Sequence, residues 1–156
     1  MTTWIERRHD GYLLTDDPAR LQLEAIHAYL TESYWAKGIS REIVACSLAN
    51  SLSIGAYDPD GAQVGLARFV SDFATFCYVC DVYVLETHRQ RGLARAMMDC
   101  ARTHPKLQGL RRWHLVTRDA HGIYARSGFR PLASPTAHME RHDPGIYQAP
   151  RAQDRA

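Results

Sequence analysis

The sequence predicts an α/β domain built on a mixed sheet, and three stretches carry that expectation. Residues 81–95 read as an apolar strand, a short basic loop and a helix that opens at Gly92. Residues 113–117 form a second short apolar strand, and the stretch after it closes on Gly128-Phe129, where the glycine can cap a helix in the left-handed conformation. The chain between the two strands suits one helix and a return as a parallel neighbour. Upstream, residues 53–70 are interrupted by Asp58-Pro59-Asp60-Gly61 and read as an antiparallel hairpin.

The elements follow in order. Residues 11–15 are the first expected strand. Asp16 or Asp17 then caps a helix with Pro18 at its first position, which carries Leu21, Leu23, Ile26, Tyr29 and Leu30 and stops before residues 34–38. Ser40 caps a second helix holding Ile43, Val44, Ser47, Leu48 and Leu52. The hairpin comes next, followed by a strand over about residues 75–84. A helix with Leu93, Ala96, Met97 and Cys100 leads to the Trp113 strand, a helix around Tyr124 and a closing strand. Residues 1–143 make a single domain, and residues 144–156 are expected to fray as a tail.

Composition sets the class. A chain of 156 residues with 46% hydrophobic and 23% charged content suits one compact soluble domain. A net charge of +2 is too small to argue for a nucleic-acid or membrane surface, and neither partner is expected. No apolar stretch approaches the roughly 20 residues of a membrane span, and the polar start lacks a signal-peptide core, so a cytoplasmic location is expected. Cys77 and Cys80 are three apart on a strand, point to opposite faces, and read as packing thiols rather than a metal pair. The eight histidines, His138 and His142 included, read as surface residues, and no metal is expected.

The loop after the strand at residues 81–85 has the chemistry of an anion cradle. Backbone N–H groups at a helix start have no intrahelical acceptor, and the helix dipole adds positive potential there. Gly92 and Ala94 let a bulky anion approach the main chain, while Arg89, Arg91 and Arg95 supply charge. Neither the P-loop pattern nor the dinucleotide fingerprint is present. Arg89, Gly92 and Ala94 instead spell Arg-x-x-Gly-x-Ala, and Tyr124 to Phe129 spell Tyr-x-x-x-Gly-Phe. On these two signatures the chain resembles the GCN5-related N-acetyltransferases, the GNAT superfamily, over roughly residues 12–140.

The resemblance implies a twisted mixed sheet with helices on both faces. The strand ending at Val84 and the Trp113 strand would splay apart, with acetyl-CoA in the V between them. Val82, Tyr83 and Val84 would meet the pantetheine arm, and Gln90, Arg91, Gly92, Leu93 and Ala94 would hold the pyrophosphate, helped by Arg89 and Arg95. Tyr124 matches the tyrosine that in many relatives protonates the departing thiolate; its bland alternative is packing. Asp81 and His121 are rival general bases, and Asp81 could instead be a structural acceptor for the loop amides. Tyr34 and Trp35 would wall the acceptor pocket, with Asp72 or Asp81 attracting a cationic amine. One departure is that residues 117–119 hold no asparagine, where the family often places one against the cofactor.

The implied reaction is acetyl transfer from acetyl-CoA to the amine of a small molecule or protein, and a homodimer is plausible by analogy. Two rivals remain. One is a non-catalytic acyl-CoA-binding or sensing module. The other is a helix-turn-helix DNA reader, disfavoured by the long link over residues 31–39 and by a second helix poor in Arg and Lys.

Overall fold

Six strands form one sheet in the order β1-β2-β3-β4-β5-β6 in the computed structural model, which describes residues 3–148. The strands are β1 (Glu6–His9), β2 (Tyr12–Thr15), β3 (Leu52–Tyr57), β4 (Gln63–Ser71), β5 (Phe76–Val84) and β6 (Arg112–Leu115). The helices are α1 (Leu23–Leu30), α2 (Arg41–Ala49), α3 (Leu93–Arg102) and the short α4 (His121–Ala125). Neighbours from β1 to β5 are antiparallel, and β5 and β6 are parallel, joined through α3. The expected mixed α/β sheet is present. No helix among the described residues is long and apolar enough to cross a membrane.

Each face of the sheet buries its own core. Leu93, Met97, Met98, Cys100 and Ala101 of α3 pack on one face against Leu14, Ile54, Ala56, Phe69, Cys77 and Val79. Ile26 and Leu30 of α1, Val44 of α2 and the linking Ala36 and Ile39 pack on the other, against Leu66 and Tyr83. The expected helix over residues 93–100 thus uses its apolar stripe as predicted, leaving Arg95 and Arg102 outside.

Four element expectations are corrected. Strand β1 was missed, because Glu-Arg-Arg-His carries no apolar alternation; it is an exposed edge strand whose register with β2 provides its order. Pro18 opens only a short 3-10 turn capped by the Asp17 carboxylate, and α1 starts afresh at Leu23. Leu52 does not extend α2; Asn50 ends that helix and Leu52 begins β3. No closing strand follows α4 among the described residues, where residues 131–148 hold a 3-10 turn at Pro135–Ala137 and hydrogen-bonded turns over 144–148. Residues 149–156 of the expected tail lie outside the described residues, while the Tyr147 carbonyl packs on Gly38, 2.9 Å from where a Cβ would stand.

Two features of β5 position the site. Its pairing with β6 runs only from Phe76↔Arg112 to Val79↔Leu115, after which β5 continues to Val84 and the two strands part. Its pairing with β4 slips by one residue between Leu66↔Tyr83 and Arg68↔Cys80, a bulge that takes in Asp81 at φ +51°. The extra residue changes the side-chain parity. Cys77 and Val79 face α3, and beyond the bulge it is Val82 and Val84 that do so, leaving Tyr83 on the opposite face.

Candidate active site

The loop joining β5 to α3 is shaped by two left-handed residues. Gln90 has φ +63° and Gly92, directly before the first turn of α3, has φ +74°. Alternating handedness turns successive N–H groups toward one side, the geometry of an anion-binding nest, and it leads into the unpaired N–H groups of the first helical turn. Glycine suits the second position twice over: it carries no side-chain penalty at positive φ, and a Cβ there would already touch His9 Nε2 at 3.4 Å. His9 Nε2 donates to the Arg91 carbonyl at 2.7 Å, so edge strand β1 braces the loop from below. Tyr12 and His88 share a hydrogen bond of 2.8 Å at the other end of the same turn.

The arginines of this loop divide their work. Arg89 folds back, donating from Nε to the Val84 carbonyl at 2.9 Å and from Nη2 to the Tyr29 hydroxyl at 3.4 Å. It straps the loop to the end of β5 and to α1. Arg91 and Arg95 are half exposed and hold only loose ion pairs, with Asp10 at 3.9 Å and Asp99 at 3.9 Å. Such contacts are worth little and leave both cations free to turn toward an anion. Leu93 is buried in the core, so of this residue only the backbone can serve the cradle.

Beside the open end of β5 stands an aromatic cluster. Tyr29 stacks on Tyr83 with centroids 3.8 Å apart, Trp35 lies 6.3 Å from Tyr29, and Tyr34 meets Trp35 edge-on at 5.1 Å. Tyr34 and Trp35, singled out from sequence, are therefore on one wall with Tyr83. Tyr29 was read only as a helix face residue. The α1–α2 link is held in place by the Ser33 hydroxyl, which donates to the Leu30 carbonyl at 2.7 Å and accepts from Ala36 N at 3.1 Å.

Asp81 is tied into this wall rather than to the phosphate loop. Trp35 Nε1 donates to Oδ1 at 2.8 Å and Arg68 Nε donates to Oδ2 at 2.8 Å, with the two charged side chains 16% and 9% exposed for Arg68 and Asp81. Burial by itself would lower the Arg68 pKa, but the charge and hydrogen bond of Asp81, together with Cys80 and Tyr147, outweigh it and the net shift is upward. The expected alternative role, acceptor for the loop amides, is corrected: the donors come from β4 and the α1–α2 link. Arg68 was missed by sequence reading, although a charge inside the apolar run Val64-Gly65-Leu66-Ala67 and Phe69-Val70 is a signal that a partner must exist. Cys80, next to this pair, is pushed up to about 12 chiefly by burial, and Cys77 reaches about 12 for the same reason; both thiols are free and behave as packing groups.

Tyr124 sits on α4, whose first turn is prepared by Thr117 Oγ1 accepting from Ala120 N at 3.0 Å. The Thr117 hydroxyl, in the stretch over residues 117–119 that holds no asparagine, is turned into its own loop. Gly128 at φ +90° ends the turn and lets Phe129 swing back edge-on to Tyr124, 6.0 Å between centroids. Burial, and secondarily the neighbouring Tyr34 phenol, push the Tyr124 pKa up to about 12. That influence links Tyr124 to the aromatic wall. His121 is exposed in the first turn of α4.

Asp72 is not near the wall. It closes the β4–β5 turn, accepting from Ala74 N at 2.9 Å, Thr75 N at 2.7 Å, Thr75 Oγ1 at 2.6 Å and Phe76 N at 3.2 Å. The turn lies at the opposite end of β5 from Val84, so the acceptor-site expectation for Asp72 is corrected. The Thr75 hydroxyl first, then the Thr75 and Ala74 amides, hold its carboxyl well below the ordinary range. A depressed folded-state pKa means that its stabilisation is present above about pH 4 and is lost as pH falls. Asp72→Ala is accordingly expected to lower the melting temperature at neutral pH, with the difference from wild type shrinking in acid, and to leave ligand affinity at the far end of the sheet unchanged.

A parallel strand pair that parts beyond Val79 and Leu115, with a left-handed anion loop at its open end, defines the acetyltransferase class of α/β sheet. Comparison with known proteins makes the assignment specific. Residues 50–131 match the family described as "Acetyltransferase (GNAT) domain". A Gibberella zeae protein described as a candidate acetyltransferase is 32% identical over 138 residues, 74% of this chain and 77% of the other. The crystal structure of a candidate acetyltransferase of the GNAT family from Xanthomonas campestris pv. campestris superposes with a TM-score of 0.87 at 44% identity, covering 91% of this chain and all (100%) of that one. A predicted acetyltransferase from Clostridium acetobutylicum, solved with acetyl-CoA, shares the fold at a TM-score of 0.61 and 16% identity, over 84% of this chain and 94% of its own. The chain belongs to the GNAT acetyltransferase family.

Proposed function

We propose that the protein transfers an acetyl group from acetyl-CoA to the amine of an acceptor by direct attack while both are bound. The observation that carries this reading is the pair of left-handed residues, Gln90 and Gly92, placed at the mouth of the β5–β6 opening. The residues fit the ligand: a nest and a helix start for the pyrophosphate, Arg91 and Arg95 for the remaining phosphate charge, and the edge of β5 that β6 leaves beyond Val79 for the amide-bearing arm, with the Val84 carbonyl already held by Arg89 Nε. Acetyl-CoA supplies an acyl group activated as a thioester. As the C–N bond forms and the C–S bond breaks, the acceptor nitrogen loses one proton and the sulfur gains one.

The chain's part is positioning and proton supply. The bulge at Asp81 interrupts the β4–β5 ladder beside Val82, and in this reading the Val82 N–H is the donor that stabilises negative charge developing on the thioester oxygen. Asp81 acts as a positioning residue: Arg68 and Trp35 hold it in the left-handed conformation that makes the bulge. Tyr124 donates the proton to sulfur. With its pKa near 12 it stays protonated across the working range, so kcat should rise as the acceptor amine deprotonates and show no descending limb from Tyr124 below about pH 11. The acceptor arrives as free amine, and we assign His121, exposed at the start of α4, to carry its proton to solvent.

Trp35→Phe tests the positioning role gently, since removing either member of the buried Arg68–Asp81 pair costs about 3–5 kcal/mol of stability. The phenylalanine keeps an aromatic ring and removes the N–H donor to Asp81. A drop in kcat of about tenfold with unchanged acetyl-CoA affinity is expected, and an unchanged kcat removes Trp35 from the device. The reading as a whole is tested by calorimetric titration of acetyl-CoA and desulfo-CoA, followed by thiol release with an amine panel. No binding at millimolar acetyl-CoA sinks it. Binding without turnover on any amine supports the acyl-CoA-binding module instead.

A further inference from the structure

In the aromatic wall of the site the buried carboxylate is already matched, and the exposed charges beside it are Arg118 and its chain neighbour Asp119. Both oxygens of Asp81 are engaged, by Trp35 Nε1 and by Arg68 Nε, and Arg68 matches the charge at 2.8 Å. An incoming ammonium group would find that carboxylate already neutralised and would have to displace a buried guanidinium to use it. Asp72, the other carboxylate expected to draw a cationic acceptor, is occupied by the β4–β5 turn.

Arg118 has the opposite character. It follows β6 on the far lip of the opening, and its guanidinium lies over the Tyr34 ring with the central carbon 3.9 Å from the centroid. A contact through the face of the guanidinium does not use its N–H donors, the groups that bind a carboxylate through two parallel hydrogen bonds. Its ion pair with the adjacent Asp119 is 4.0 Å long, with the side chains 65% and 69% exposed, so it competes weakly. Tyr34 in turn meets Trp35, the residue that binds Asp81, and influences Tyr124. The ring contact holds the guanidinium beside the aromatic wall, and any ordering it provides lowers the entropy cost of using it.

We propose that Arg118 recognises a carboxylate on the acceptor, so that the amine acetylated belongs to a small amino-carboxylic acid with a flat or apolar body, and not to a polycation. The inference rests on the transferase reading above. The aromatic residues Tyr34 and Trp35 accommodate the body of such a molecule, and Arg118 fixes its anionic end, so the amine is oriented by both.

The test uses matched acceptors that differ only at the carboxyl: L-phenylalanine with L-phenylalaninamide, and 4-(aminomethyl)benzoate with its carboxamide, alongside spermidine. Each is assayed for kcat/KM with wild type, Arg118→Gln and Arg118→Lys, and acetyl-CoA affinity is measured for all three proteins. A carboxylate preference of about tenfold or more is expected for wild type in at least one pair. It should fall toward one in Arg118→Gln and only partly recover in Arg118→Lys, with acetyl-CoA affinity unchanged. Preference for spermidine or the carboxamides overturns the inference, as does wild type that binds acetyl-CoA yet accepts neither acid. An Arg118→Gln protein that loses acetyl-CoA affinity while its acceptor ratios stand also overturns it, because the arginine then serves the cofactor. Failure of wild type to bind acetyl-CoA is a different result, which removes the transferase reading and this inference with it.

Discussion

Gly92→Val is expected to abolish acetyl-CoA binding, lowering affinity by at least about a hundredfold in calorimetric titration. Three effects act in the same direction. A β-branched residue at φ +74° is a backbone outlier whose strain is on the order of 1–3 kcal/mol. Its Cβ would stand 3.4 Å from His9 Nε2, the group that braces the Arg91 carbonyl, so the branched methyls beyond it would crowd that brace. Its methyls would also lie over the N–H groups that the anion must reach. Gly92→Ala separates these effects, since it carries the strain without the branching, and it should give an intermediate loss. Unchanged affinity in the valine protein, with a melting transition like that of wild type, would show that the loop is not the phosphate cradle.

Tyr124→Phe is expected to lower kcat by a factor of roughly 10²–10⁴, the usual worth of a positioned proton donor, while acetyl-CoA affinity changes little. The substitution is conservative in packing, because the edge-on contact with Phe129 needs only the ring. It removes a hydroxyl whose pKa, near 12, keeps it protonated at every pH at which the protein would be assayed. Retained turnover with retained affinity would mean that the departing sulfur takes its proton elsewhere, and Tyr124 would revert to a packing residue. The same elevated pKa carries a stability corollary. The neutral phenol is favoured in the folded state, so its contribution is fully present below about pH 10 and is lost as pH rises toward 12.

Much of the scaffold was legible because its signals are local. The apolar stripe of α3, the turn at Asp58 to Gly61 and the glycines at 92 and 128 each declare a conformation within a few residues. What was misread had weak or misleading local signals. Edge strand β1 is charged throughout, so only its pairing with β2 reveals it. Leu52 continues the apolar spacing of α2, and the helix ends before it because Asn50 leaves the helical conformation. Asp72 offered a carboxylate near an expected pocket, but four hydrogen bonds bind it into its own turn.

The sequence alone determined the family, the left-handed glycines at 92 and 128 and the helix that bears Tyr124, because Arg-x-x-Gly-x-Ala and Tyr-x-x-x-Gly-Phe are short patterns whose geometry is local. Tertiary structure alone decided how the aromatic wall is charged. Asp81 is held by Arg68, thirteen positions away on β4, and by Trp35, forty-six positions away on the α1–α2 link. Arg118 reaches Tyr34 across the opening between the parted strands. No pattern along the chain encodes such contacts. They depend on a one-residue bulge that reverses side-chain parity in β5, and a left-handed aspartate is stable there only when distant donors hold it.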